Sequence, residues 1–123
     1  MAGQFDLHAC AVDFGAYIGA THRPLIHLPD DAGGISIIEA KVIGSGAGTA
    51  VGLLLVTMTD VGTPAVNGTI GAFAGTVVYA EGVPAACTIS TPYVSGGGWI
   101  GIDQTSGTAP ANAVLTLSYV MGK

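Results

Sequence analysis

At 123 residues the chain fits one domain; half its residues are hydrophobic and only 9% are charged, against about 25% in ordinary soluble domains. That balance excludes disorder, which needs the opposite composition. Net charge is −5, and Arg23, Lys41 and Lys123 are the only cations. Three scattered cations cannot displace the counterions of a nucleic-acid backbone or hold an anionic bilayer, so neither nucleic acid nor membrane is an expected partner.

The opening "MAGQFDLHACAVDFGAYIGA" has no basic residue and places Asp6 and Asp13 within its apolar part, so it is not expected to be a signal peptide. Within it, "FDLHACAV" (5–12) alternates Phe5, Leu7 and Ala9 against Asp6 and His8. "PLIHL" (24–28) starts with Pro24, which suits an edge strand or a strand start. Residues 1–32 lack the strand spacing of the remainder and read as an N-terminal arm or as added edge strands. Residues 33–123 read as a β-sandwich domain.

"DDAGG" (30–34) is a turn, and "ISIIEAKVI" (35–43) a strand with Glu39 and Lys41 on one face and Ile38, Ala40 and Val42 on the other. "GSGAGT" (44–49) lacks the sixth-position glycine of a dinucleotide loop and the GK[ST] ending of a phosphate loop. It therefore reads as a turn between strands. The run after it, "VGLLLVTM" (51–58), is eight residues long, far short of the ~20 that a bilayer-spanning helix requires. Both of its faces are apolar, Leu53 and Leu55 against Leu54 and Val56, so the strand must be covered by an adjoining segment or by another chain.

The Gly- and Pro-rich stretch 61–84 reads as one or two short strands around Ile70 and Val77, or as a long loop. "AACTIST" (85–91) and "GWIGID" (98–103) are strands separated by the glycine punctuation of "PYVSGGG". "AVLTLSYVM" (113–121) has the strictest alternation, Leu115, Leu117, Tyr119 and Met121 against Thr116 and Ser118. No window sustains a helix, since Gly, Pro and β-branched residues interrupt each one. The fold expected is all-β: an antiparallel sandwich, jelly-roll-like or barrel-like.

No catalytic set emerges. His22 and His27 with Asp30 or Asp31 have ligand chemistry, but the HxxxxH spacing matches no zinc signature, and in a regular strand it puts the rings on opposite faces. Asp30–Asp31 has the residue type of a turn. Ser45 and Ser95 lack the GxSxG context of a nucleophile elbow. His8 shares a strand face with Cys10, but no orienting acid or oxyanion donor accompanies them. Cys10 and Cys87 read as reduced, buried small hydrophobes. Trp99 and Tyr93 flank "SGGG" and suit either stacking on a sugar ring or a core anchor. The chain is expected not to be an enzyme, with no cofactor and no metal.

Eleven charged side chains (three basic, eight acidic) leave little to keep a surface solvated, so association with copies of the chain or with another protein is expected. Phe5, Leu7, Leu25, Leu54, Val56 and Trp99 are the candidate contacts.

The run "GGISIIEAKVI", "GTAVGLLLVTM", "GTIGAFAGTVV", "VPAACTIS", "GGGWIGIDQTSGT" and "LTLSYVMGK", spanning 33–123, resembles small virion proteins of tailed bacteriophages. It is similar in particular to the β-sandwich proteins that decorate or cement the head shell. The resemblance implies a homotrimer seated on the major capsid protein, with N-terminal segments reaching neighbouring subunits, located in the virion and assembled in the host cytoplasm. Tail and fibre proteins share the same texture. The alternative is therefore a tail or fibre adhesin that binds host-surface carbohydrate.

Overall fold

A computed structural model describes residues 7–14, 22–30, 33–45, 48–59, 65–79, 83–108, 110 and 112–122. Ten strands account for most of them: β1 (His8–Asp13), β2 (His22–His27), β3 (Ile35–Ser45), β4 (Thr49–Met58), β5 (Val66–Phe73), β6 (Thr76–Val78), β7 (Ala85–Ile89), β8 (Tyr93–Val94), β9 (Trp99–Thr108) and β10 (Asn112–Met121). Every pairing among them is antiparallel. The strand path runs β1-β10-β3-β7-β5-β4-β9-β2, with β6 beside β4 and β8 beside β3. The protein is thus all-β, with a nearly closed, barrel-like sheet.

The two layers are joined through β7. Its first residues pair with β3 (Ala85↔Val42, Ala86↔Lys41) and its last with β5 (Cys87↔Phe73, Ile89↔Gly71). One strand thereby joins the two layers at a corner. The Ile70 carbonyl ties down the exit from this corner, accepting from Ser90 N (2.9 Å), Thr91 N (3.0 Å) and Ser90 Oγ (3.2 Å). The path ends at β1 and β2, so the described part of the 1–32 stretch supplies its two edge strands. The same stretch contributes Phe14 and Leu28 to the core. Arg23 Nη1 donates to the Phe14 carbonyl at 2.7 Å, linking the end of β1 to β2.

The core lies between the layers. Ile35, Ile37, Ala40 and Val42 from β3 and Ala113, Leu115 and Leu117 from β10 meet Leu53 and Leu55 from β4 and Ile100 and Ile102 from β9. Alternation explains these choices, with departures where backbone irregularities shift the phase. The pairing of β3 with β10 slips between Ser118 and Tyr119, leaving Ile38 unmatched. Ile38, expected on the inward face, is 59% exposed, and Ile37 and Ile35 are buried instead. At Gly52 a φ of 66°, cheap only for glycine, flips β4 so that Ala50 faces the core before it and Leu53 after it.

The glycine loop 44–49 does connect two strands, but β3 and β4 do not pair with each other: each bonds to other neighbours in its own layer. β3 and β4 are therefore not a hairpin. The undecided stretch 61–84 supplies β5 and β6, around Ile70 and Val77.

Candidate functional site

The residues singled out for chemistry are dispersed. His8 lies on edge strand β1 and stacks on Tyr119, ring centroids 5.3 Å apart at 22°. The β2–β9 pairing skips Leu25, with Pro24 opposite Gly101 and Ile26 opposite Ile100. That bulge corrects the expectation for His22 and His27: their partners are Asp103 and Trp99, four residues apart on β9, so the histidines share a face. They remain roughly 13 Å apart at 3.3 Å per residue, too far to share a metal ion. Among the described residues no group of three or more His, Cys, Asp or Glu side chains has metal-holding geometry. Asp31 lies outside the described residues.

Cys10 and Cys87 are both free, half-buried thiols. Cys10 is on edge strand β1 and Cys87 on corner strand β7. Burial pushes the Cys10 thiol upward and raises Cys87 from 9.0 to about 11. A nucleophilic cysteine requires the opposite shift, toward thiolate at neutral pH.

The contact candidates divide. Leu7 is 65% exposed, Leu54 is half-buried, and Leu25 packs against the core as the extra residue of the β2 bulge. Val56 is 0% exposed within the chain, so it is corrected from a partner contact to a buried residue. The pairing of β4 with β5 slips between Leu55 and Val56 and again between Thr57 and Met58. Bulges sharpen twist, and the curled sheet encloses Val56 and Met58. Phe5 lies outside the described residues. Several exposed hydrophobics were not selected from the sequence: Ile38 and Ile43 on β3, Val51 on β4, Val66 on β5 and Val78 on β6.

Two concavities stand out. One, of about 350 Å³, opens at the seam between the β1–β10 and β2–β9 edges. Cys10, Ile26, Leu28, Ile100, Leu117 and Tyr119 line most of it. The other, of about 510 Å³, lies where β4, β5, β8 and β9 meet. It brings Tyr93 and Trp99 together with hydroxyl- and amide-bearing residues. The sequence reading gave Trp99 two roles, and the structure does not make it a core anchor. The ring is half-buried and lies against His27, centroids 4.9 Å apart and tilted 55°.

No family model matches this chain, and no curated protein matches it. Among solved structures, a chain described under Bacillus endospore appendages that form a novel family of disulfide-linked pili matches 99% of this chain and 95% of its own. The identity is 16% and the TM-score 0.40. At those values the match says nothing of what this chain does, and it concerns an appendage, not a phage head.

Proposed function

We propose that the chain is a non-enzymatic structural protein of a tailed-phage virion. It associates with copies of itself and with the major capsid protein to decorate and stabilise the head shell. The observation that supports this best is the surface. Ile38 and Ile43 on β3, Val51 and Val78 on the β4–β6 pair, and Leu7 and Met121 near the seam are all large and exposed. They belong to a chain with eleven charged side chains in total, three basic and eight acidic. Packing such residues against a second copy removes apolar area worth roughly 25 cal/mol per Å². Cyclic symmetry lets each patch meet a copy without an open-ended contact. Among the described residues the edge strands β1 and β2 each pair on one side only, which suits strand addition by a neighbouring chain. The trimer and the phage shell come from the sequence resemblance.

Sedimentation of the purified chain at micromolar concentration tests the first part. A closed oligomer is expected, with Ile43→Glu shifting it toward monomer, and a wild-type monomer would overturn self-association. Co-sedimentation with emptied heads of the particle of origin tests the second part. A chain that oligomerises but leaves the heads unbound would retain the first part and sink the second.

A further inference from the structure

From the groove at the meeting of β4, β5, β8 and β9, we infer that the protein carries a binding site for a neutral carbohydrate, a function separate from assembly. The groove has the volume of a small-ligand site, about 510 Å³, within the ~300–1,000 Å³ usual for such sites. Its chemistry is specific in kind. Thr57, Thr69, Thr91 and Ser95 bring hydroxyls, Asn67 brings an amide, and Tyr93 and Trp99 bring rings. Among the described residues that line it there is no Asp, Glu, Lys or Arg. Hydroxyl and amide groups both donate and accept, as the hydroxyls of a sugar do. The C–H face of a pyranose is apolar and slightly positive, which matches the negative face of an indole. An anionic sugar would meet no cation among the described lining residues, in a chain of net charge −5.

The walls are held in place by the fold. Gly97 N donates to the Leu28 carbonyl at 2.9 Å, and the Gly98 carbonyl accepts from Leu28 N at 2.8 Å. Gly97 has φ 92°, and a Cβ on Gly98 would come within 2.8 Å of the Met58 carbonyl oxygen. Only glycine lets this segment lie so close to β4, and the backbone itself forms the wall beside Trp99. Tyr93 is anchored by its hydroxyl, which donates to the Gly33 carbonyl at 3.0 Å. On the opposite wall, the second slip of the β4–β5 register falls at Asn67, the residue left unmatched between Gly68 and Val66. Bulges re-aim side chains beside binding sites, and this one sits on the groove. Ring, hydroxyls and amide are thus set before any ligand arrives, which reduces the ordering cost of binding.

Trp99 is the only tryptophan in the chain, so its fluorescence reports on the groove alone. The intact protein is titrated with maltose, lactose, cellobiose and diacetylchitobiose, and separately with sialyllactose. At least one neutral disaccharide is expected to perturb the emission saturably, with a dissociation constant on the order of 1 mM. Calorimetry on Asn67→Ala, a change at an exposed position, is expected to show a roughly 2–12-fold loss, the equivalent of one hydrogen bond. Trp99→Ala is expected to abolish binding and Trp99→Phe to retain part of it, each with an unchanged circular-dichroism spectrum. Silence across the neutral panel overturns the site. Equal binding by Trp99→Ala overturns its location, and a preference for sialyllactose overturns its neutral character.

Discussion

Truncating Leu117 to alanine probes whether β10 is a core strand and whether the seam cavity is a true packing gap. Leucine-to-alanine changes in cores cost about 2–5 kcal/mol, the spread reflecting how much packing is lost around the removed atoms. Leu117 is 2% exposed but borders the 350 Å³ seam cavity, so part of its surface already lacks neighbours to lose. Its cost therefore falls in the lower half of the range, about 2–3 kcal/mol. Leu115 is 0% exposed and does not line that cavity, so Leu115→Ala should cost about 4 kcal/mol. Thr116 between them is exposed, and its Oγ1 reaches the Lys41 carbonyl only at 3.4 Å. Thr116→Ala should stay within about 0.5 kcal/mol of wild type. Urea unfolding at one fixed protein concentration reads all three, since association shifts apparent stability. With a slope of about 1–3 kcal/mol per molar, Leu117→Ala lowers the midpoint by roughly 0.7–3 M. An unchanged midpoint would remove β10 from the core, and a larger loss than that of Leu115→Ala would refute the packing gap.

Three other predictions concern the half-buried thiols and a buried polar pair. Burial raises the Cys87 thiol from 9.0 to about 11, so the folded state holds its proton longer than the unfolded chain. The stability this provides is intact below pH 9.0 and disappears as pH rises through about 11. Wild type should therefore lose stability relative to Cys87→Ala across that window, and parallel pH profiles would refute the burial of the thiol. Replacing both Cys10 and Cys87 with alanine should leave assembly intact on sedimentation; a folded double variant that no longer assembles would assign the thiols a role in it. Tyr79 is buried and its hydroxyl donates to Gln104 Oε1 at 3.1 Å, while Gln104 Nε2 is buried without a hydrogen-bond partner among the described residues. Tyr79→Phe strips the amide of this bond and should cost about 1–3 kcal/mol. Adding Gln104→Leu should recover much of that in a double-mutant cycle, and strict additivity would show that the two groups are not coupled.

The strands were legible because a half-buried strand has to alternate, and 113–121 does so over nearly its whole length. Pairing was not legible. "GSGAGT" joins β3 to β4 in sequence, yet β3 bonds to β10, β7 and β8 and β4 to β5, β6 and β9. A turn signal says that the chain changes direction; it does not say whether the next strand lies beside the last or across the core from it. Phase was lost for a related reason. Nothing in "ISIIEAKVI" marks Ile38 as the residue that slips, because the slip is set by the register with β10, some 80 residues away. Gly52 did carry a local sign, a glycine inside an apolar strand, which commonly marks a bulge or a close approach. The positive φ found there is of that kind.

The groove was half visible for the same physical reason. Tyr93, "SGGG" and Trp99 are adjacent in sequence, so aromatic rings around a glycine wall could be named before any fold was known. The facing wall comes from Asn67 and Thr69, in a stretch that read equally well as strand or loop. Threonine and asparagine on a strand face also carry no signal of their own, because solvent selects the same residues that a sugar would. Only the pairing of β4 with β5 and β9 brings those hydroxyls and that amide opposite the rings. The glycines acquire a second meaning there. Read along the chain they are a turn; in the fold a Cβ on Gly97 would meet Asp30 Oδ1 at 2.7 Å and one on Gly98 the Met58 carbonyl oxygen at 2.8 Å, closer than side chains pack. A chain with so few charges has little besides backbone, hydroxyls and rings with which to recognise a ligand, and this is where the fold gathers all three.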